Sequence, residues 1–107
     1  MNQAARINYD MKTPFASFME RHGTVLAGLL THLYGNEGAA AFYSLNRLGH
    51  ELPHERKQEL NLALDEAVVM LLDFVGEPIT PPSNIRTEEM DVALLWYAAR
   101  LTDLRGS

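Results

Sequence analysis

Apolar residues recur at three- and four-residue steps through most of this chain, the spacing that places side chains on one face of an α-helix. The first such stripe covers residues 14–34. Thr13 is suited to cap the first turn of that helix, and Pro14 loses no hydrogen bond at its first position. Gly35 can end the helix in a left-handed conformation. The spacing and the residues at both ends predict one long helix here.

The same spacing predicts three further helices, at residues 37–48, 53–75 and 87–105. Asn36 and Glu37 favour the start of the second, and Gly49 is predicted to end it. Pro53 is suited to be the first residue of the third helix. Apolar residues cover a wide arc of that helix, which suggests a central position or a second contact surface. Thr87 is predicted to cap the fourth helix.

No segment alternates between apolar and polar residues in the manner of a strand. Residues 77–86 contain three prolines and are predicted to be a stiff connector, while residues 1–12 lack periodicity and are predicted to be a flexible arm. A chain of 107 residues has the size of a single domain. We therefore predict an all-α fold, a compact bundle of four helices in one domain.

Charge is distributed unevenly along the chain, whose formal net charge is −5. Residues 58–91 contain eight acidic residues and one basic residue. Phosphate backbones and anionic membranes are held by Lys and Arg, so this balance disfavours direct binding to nucleic acid or to a membrane. No secretory signal is apparent and the chain has no cysteine, a composition that suits a cytoplasmic protein.

One stretch matches the letters of the H-E-x-x-H zinc-protease motif: His50-Glu51-Leu52-Pro53-His54. The motif needs both histidines on one face of a continuous helix. Proline inside a helix lacks the N–H and collides with the preceding turn. The stretch is therefore predicted to be a corner between helices, and the match to be a coincidence.

Catalytic motifs of other kinds are also missing from the sequence. No serine lies in a Gly-x-Ser-x-Gly elbow, and no glycine-rich phosphate loop occurs. Neighbouring carboxylates such as Asp65 and Glu66 point about 100° apart on a helix, which suits solvated charges better than a catalytic pair. His22 lies on the apolar stripe of the first helix and is predicted to be a hydrogen-bonded core residue. We predict a protein that is not an enzyme and has no cofactor and no metal.

The remaining functional features are the acidic band and several aromatic residues near helix ends. Together they predict a surface that docks a protein partner, one that is basic or itself binds nucleic acid. The predicted contact residues are Asp65, Glu66, Asp73, Glu77, Glu88, Glu89 and Asp91, with Tyr43 and Trp96 as apolar anchors. We therefore predict a small acidic interaction module that acts as an inhibitor or regulator.

Small acidic helical proteins without catalytic residues include nuclease-neutralising immunity proteins and phage anti-defence proteins. This is an analogy of class, because the chain contains no motif of either group. A homodimer formed through the apolar arc of the third helix is also predicted. Two alternatives stay open: a metal-binding helical protein or enzyme that uses His22, His32, His50 and His54, and a structural subunit of a larger assembly.

Overall fold

The computed structural model describes residues 13–51 and 57–105. Four α-helices lie in these ranges: α1 Pro14–Tyr34, α2 Asn36–Glu51, α3 Lys57–Leu72 and α4 Met90–Leu104. A 3₁₀ turn, Thr87–Glu89, precedes α4, and the described residues contain no strand. The predicted all-α four-helix fold is confirmed. The predicted arm at residues 1–12 and the predicted corner around Pro53 lie outside the described residues.

The ends of α1 follow the predicted local chemistry. The Oγ1 atom of Thr13 accepts a hydrogen bond from the backbone N–H of Ala16 at 3.0 Å, and Pro14 is the first helical residue. Gly35 ends the helix with a φ of 63°, and its N–H donates to the carbonyl of Thr31. A positive φ is readily adopted only by glycine, so the helix ends where the sequence predicts it.

The predicted end of α2 at Gly49 is wrong, because the helix continues through this residue to Glu51. Gly49 is buried, and a Cβ atom there would overlap the ring of Phe15 in α1. Near the other end of α2, a Cβ atom on Gly38 would overlap the backbone carbonyl of Leu30. Both glycines therefore permit close packing of α1 against α2.

The third helix is shorter at its C-terminal end than predicted. It ends at Leu72, and the N–H groups of Phe74 and Val75 bond to carbonyls only three residues earlier, as in a tight turn. Gly76 follows with a φ of 84°. Phe74 and Val75 still pack against the core. Because both residues are apolar, the apolar spacing in the sequence continues past Leu72, where the helix itself ends.

The predicted cap at Thr87 is also wrong. Thr87 is the first residue of the 3₁₀ turn, no side chain caps that turn, and the α-helix begins at Met90. The acidic residues stay where their charge is favourable, because Glu88 and Glu89 lie in the turn and Asp91 in the first turn of α4.

The core lies where the α1–α2 pair packs against the α3–α4 pair, through contacts of α2 with α3 and of α1 with α4. Its largest fully buried side chains are all leucines: Leu26, Leu29, Leu30, Leu45, Leu64, Leu71, Leu94 and Leu101. Each contributes roughly 1.5–3 kcal/mol by leaving water. Among the described residues Tyr97 is the one buried residue with a polar side-chain atom, so the core is held almost entirely by apolar packing.

We expect Gly38→Ala and Gly49→Ala to lower the free energy of unfolding by about 1–3 kcal/mol each, because the added methyl group has to displace backbone or an aromatic ring. Gly28→Ala is the matched control. Gly28 is exposed in α1, and no neighbouring heavy atom lies within 4 Å of a Cβ placed there. There the same change should stabilise the protein by about 0.5–1 kcal/mol. Urea unfolding measures all three, and equal effects at the three sites would contradict the proposed close packing.

Candidate interaction surface

The start of α4 is held against the turn that follows α3. The backbone N–H of Gly76 donates to Oδ1 of Asp91 at 3.0 Å. This contact places the turn after α3 and the 3₁₀ turn before α4 at the same end of the helix pair. Five of the seven predicted acidic contact residues are thereby gathered here, and we call them the acidic end: Asp73, Glu77, Glu88, Glu89 and Asp91.

The C-terminal end of α1 packs against the same region. The hydroxyl of Tyr34 donates to the backbone carbonyl of Met70 at 2.9 Å, and its ring meets the ring of Phe74 edge-on at 5.3 Å. Burial raises the pKa of the Tyr34 phenol above its ordinary value of 10.0, and the neighbouring Asp73 carboxylate raises it further. A negative charge on Tyr34 is therefore disfavoured beside the acidic end.

The other two predicted acids lie further along α3 and differ in their surroundings. Oδ1 of Asp65 accepts from Nε of Arg105 at 2.8 Å, so its charge is balanced locally. Glu66 lines an open groove of about 470 Å³ between α2 and α3, together with Glu37. In the acidic end, Glu88 is likewise paired, with Arg86 at 2.8 Å. Such exposed ion pairs contribute about 0–1 kcal/mol, so they balance charge more than they hold the fold.

Five large aliphatic side chains are exposed on the side of α3 and α4 opposite their buried stripes. On α3 they follow at steps of seven and three, and on α4 at a step of three, which places each set on one helical face. The Asp65–Arg105 pair and the Gly76–Asp91 bond show that the two helices run antiparallel side by side. We call this surface the α3–α4 face: Leu62, Val69, Leu72, Val92 and Leu95. The sequence predicted the wide arc of the third helix but not its continuation onto α4.

The two predicted aromatic anchors lie apart from each other. Tyr43 is 66% exposed on α2, which packs against α1 and α3, so Tyr43 does not join the α3–α4 face. Trp96 lies one turn from Val92 and, with Glu89, lines an open apolar groove of about 360 Å³. Its ring also meets His22 of α1 at 4.9 Å between centroids. Trp96 therefore lies at the edge where the α3–α4 face meets α1.

The histidines are spread over the described residues. His50 packs edge-on against Phe15 at 5.5 Å, while Nε2–H of His32 donates to the carbonyl of Thr80. His22 is half-buried among aromatic rings, whereas a core position was predicted, and its ring forms no hydrogen bond with another described residue. In these ranges no three residues of metal-ligating type lie close enough to share an ion. Residues 52–54 of the H-E-x-x-H stretch lie outside the described part.

Within the described ranges, no helix is both long enough and apolar enough to cross a membrane. Comparison of the chain with protein-family models, with curated proteins and with solved structures gave no match.

We expect Tyr34→Phe to change how stability responds to alkaline pH. The raised pKa of Tyr34 in the folded protein means that its contribution is full below the ordinary value of 10.0 and is lost as the pH rises above it. At neutral pH the variant should lose about 0.5–1.5 kcal/mol with the bond to Met70. The difference in melting temperature between wild type and variant should become smaller at pH values above the ordinary tyrosine pKa of 10.0. A constant gap would show that Tyr34 does not ionise differently on folding.

Proposed function

We propose that the protein acts by binding a protein partner that has a basic surface, through the α3–α4 face and the acidic end. The observation that supports this most directly is the exposure of aliphatic side chains beside carboxylates: Leu62 is 68% exposed and Val69 is 56% exposed. Exposed apolar patches rimmed by charge are typical of interaction sites. The aliphatic residues would supply contact area, and the carboxylates would select a partner of complementary charge.

Charge complementarity argues for a basic partner over a neutral one. Glu66, Asp73 and Glu77 are exposed, and none of them forms an ion pair with another described residue. An uneven charge of this kind raises the rate of encounter with an oppositely charged protein, and at physiological ionic strength salt largely screens the attraction beyond a Debye length of about 8 Å.

The activity that fits such binding is inhibition or regulation. A protein that holds nucleic acid presents a basic surface for it, and an acidic module seated on that surface would exclude the nucleic acid. We therefore propose an inhibitor of a nucleic-acid-binding protein, of the immunity or anti-defence kind, as the specific form of this function. The absence of cysteine suits action in the cytoplasm.

Neutralising Glu66, Asp73 and Glu77 tests the electrostatic half of the proposal. In the variant Glu66→Gln, Asp73→Asn, Glu77→Gln, we expect the association rate with a partner captured from the native host to fall by about tenfold or more at low salt, because steering is lost. The control, Glu20→Lys with Thr24→Lys, changes the net charge by the same amount on α1. Stopped-flow or surface plasmon resonance measures both rates, and an equal loss in the two variants would rule out a localised acidic contact.

The aliphatic half is tested by Leu62→Ser with Val69→Ser. Both side chains are exposed, so the fold should keep its stability within about 0.5 kcal/mol. Dissociation of the captured partner should become at least about tenfold faster, since most interface changes act on the dissociation rate. Tyr43→Ser on α2 is the control. A partner that leaves both variants at the wild-type rate would show that the α3–α4 face is not the docking surface.

Self-association through the same face is the alternative, favoured by the unpartnered aliphatic stripe of α3. In a two-fold dimer the same patch lies on both sides of the interface, so the carboxylates beside it bring like charge from both copies. Salt would screen this repulsion and strengthen the dimer, whereas it would weaken a complex with a basic partner. Light scattering at micromolar concentration and increasing salt separates the two. A mass that stays monomeric at every salt concentration excludes the dimer.

A further inference from the structure

A third groove lies between α1 and α4 and shares Trp96 with the apolar groove that Glu89 lines. It encloses about 280 Å³, and its chemistry is set by six residues: Ser17, Phe18, Arg21, His22, Trp96 and Arg100. No carboxylate of the described residues lines it. A groove lined by two arginines and three rings is unusual on a chain whose formal net charge is −5.

The two guanidinium groups of the groove differ in their surroundings. Nη2 of Arg100 donates to Oδ2 of Asp103 at 2.9 Å, and its guanidinium carbon lies 5.5 Å from the centre of the Trp96 ring. Arg21 is exposed, and its side chain forms no ion pair or hydrogen bond with another described residue. Arg105, by contrast, is paired with an acid. Arg21 is therefore available to an anion from outside.

The apolar part of the groove is its aromatic wall. Trp96 meets His22 edge-on at 4.9 Å and lies roughly parallel to Phe18 at 6.4 Å, with 26° between the ring planes. Trp96 is 38% exposed, so part of the indole is open to a ligand. Rings of this kind favour a flat, apolar group in offset or edge-on contact.

We propose that this groove binds a small aromatic anion, a flat ring that bears a phosphate or a carboxylate group. Guanidinium groups bind both anions through paired hydrogen bonds, and Arg21 and Arg100 supply them from the two sides of the groove. The ring of the ligand would lie against Trp96 and Phe18. A long polyanion is disfavoured, because it would extend from this short groove over the acidic surface of the chain. The argument for this ligand does not use the proposed partner, although Trp96 also borders the α3–α4 face.

The test uses Trp96, the only tryptophan of the chain, as a reporter inside the groove. Phenyl phosphate, benzoate and adenosine monophosphate are titrated into the full chain while its fluorescence is followed. Benzamide, which lacks the charge, and inorganic phosphate, which lacks the ring, are the controls. We expect saturable changes with the aromatic anions and at least about tenfold weaker binding of each control, since both halves of the ligand contribute. The ranking of phenyl phosphate against benzoate distinguishes a phosphate from a carboxylate ligand.

Arg21→Gln and Arg100→Gln should each weaken binding of the best anion by about tenfold or more, the usual effect of losing a charge-assisted hydrogen bond. Arg86→Gln is the matched control, because Arg86 is exposed and pairs with Glu88 away from the groove. Calorimetry repeats each titration to exclude collisional quenching. The proposal is overturned if benzamide binds as well as benzoate, if Arg21→Gln binds like the wild type, or if no aromatic anion gives a saturable signal.

Discussion

The close contact of α1 with α2 determines much of this architecture. Gly38 lies against the backbone carbonyl of Leu30, and Gly49 lies against the ring of Phe15. These contacts are near the two ends of α2, so they fix both its distance from α1 and its direction. Leu45 lies between them in sequence and is fully buried. With one side of α1 engaged in this way, another side is left to meet α4 and to form the groove beside Trp96.

The extent to which the sequence predicts this structure depends on how local each determinant is. The ends of α1 were predicted because Thr13, Pro14 and Gly35 act on their own backbone. Gly49 was misjudged because the reason for glycine there is a ring on another helix, which no spacing along α2 reveals. The end of α3 was missed because Val75 is apolar in a turn as it would be in a helix.

The candidate sites differ in the same way between features that lie in one stretch of the sequence and features that several helices bring together. The number of acidic residues in one stretch is visible in the sequence, but their gathering at one end is visible only in the fold, where the N–H of Gly76 donates to Asp91. The α3–α4 face and the arginines of the α1–α4 groove were not predicted, because their members come from different helices. In the folded protein, carboxylates lie around α3 and the start of α4, and guanidinium groups line the groove between α1 and α4. This division is only partly visible in the sequence.

The described core contains a single polar side chain, the phenol of Tyr97, and this affects how the protein can change over generations. Elsewhere in the core no hydroxyl, amide or charge has to keep a matching neighbour, so aliphatic side chains of similar volume can replace one another in many combinations with little loss of stability. Substitutions should therefore be tolerated more readily at the buried leucines than at the few positions where the backbone or the surface requires one particular residue. Divergent descendants of this chain should keep Gly38 and Gly49 longer than they keep most of their interior.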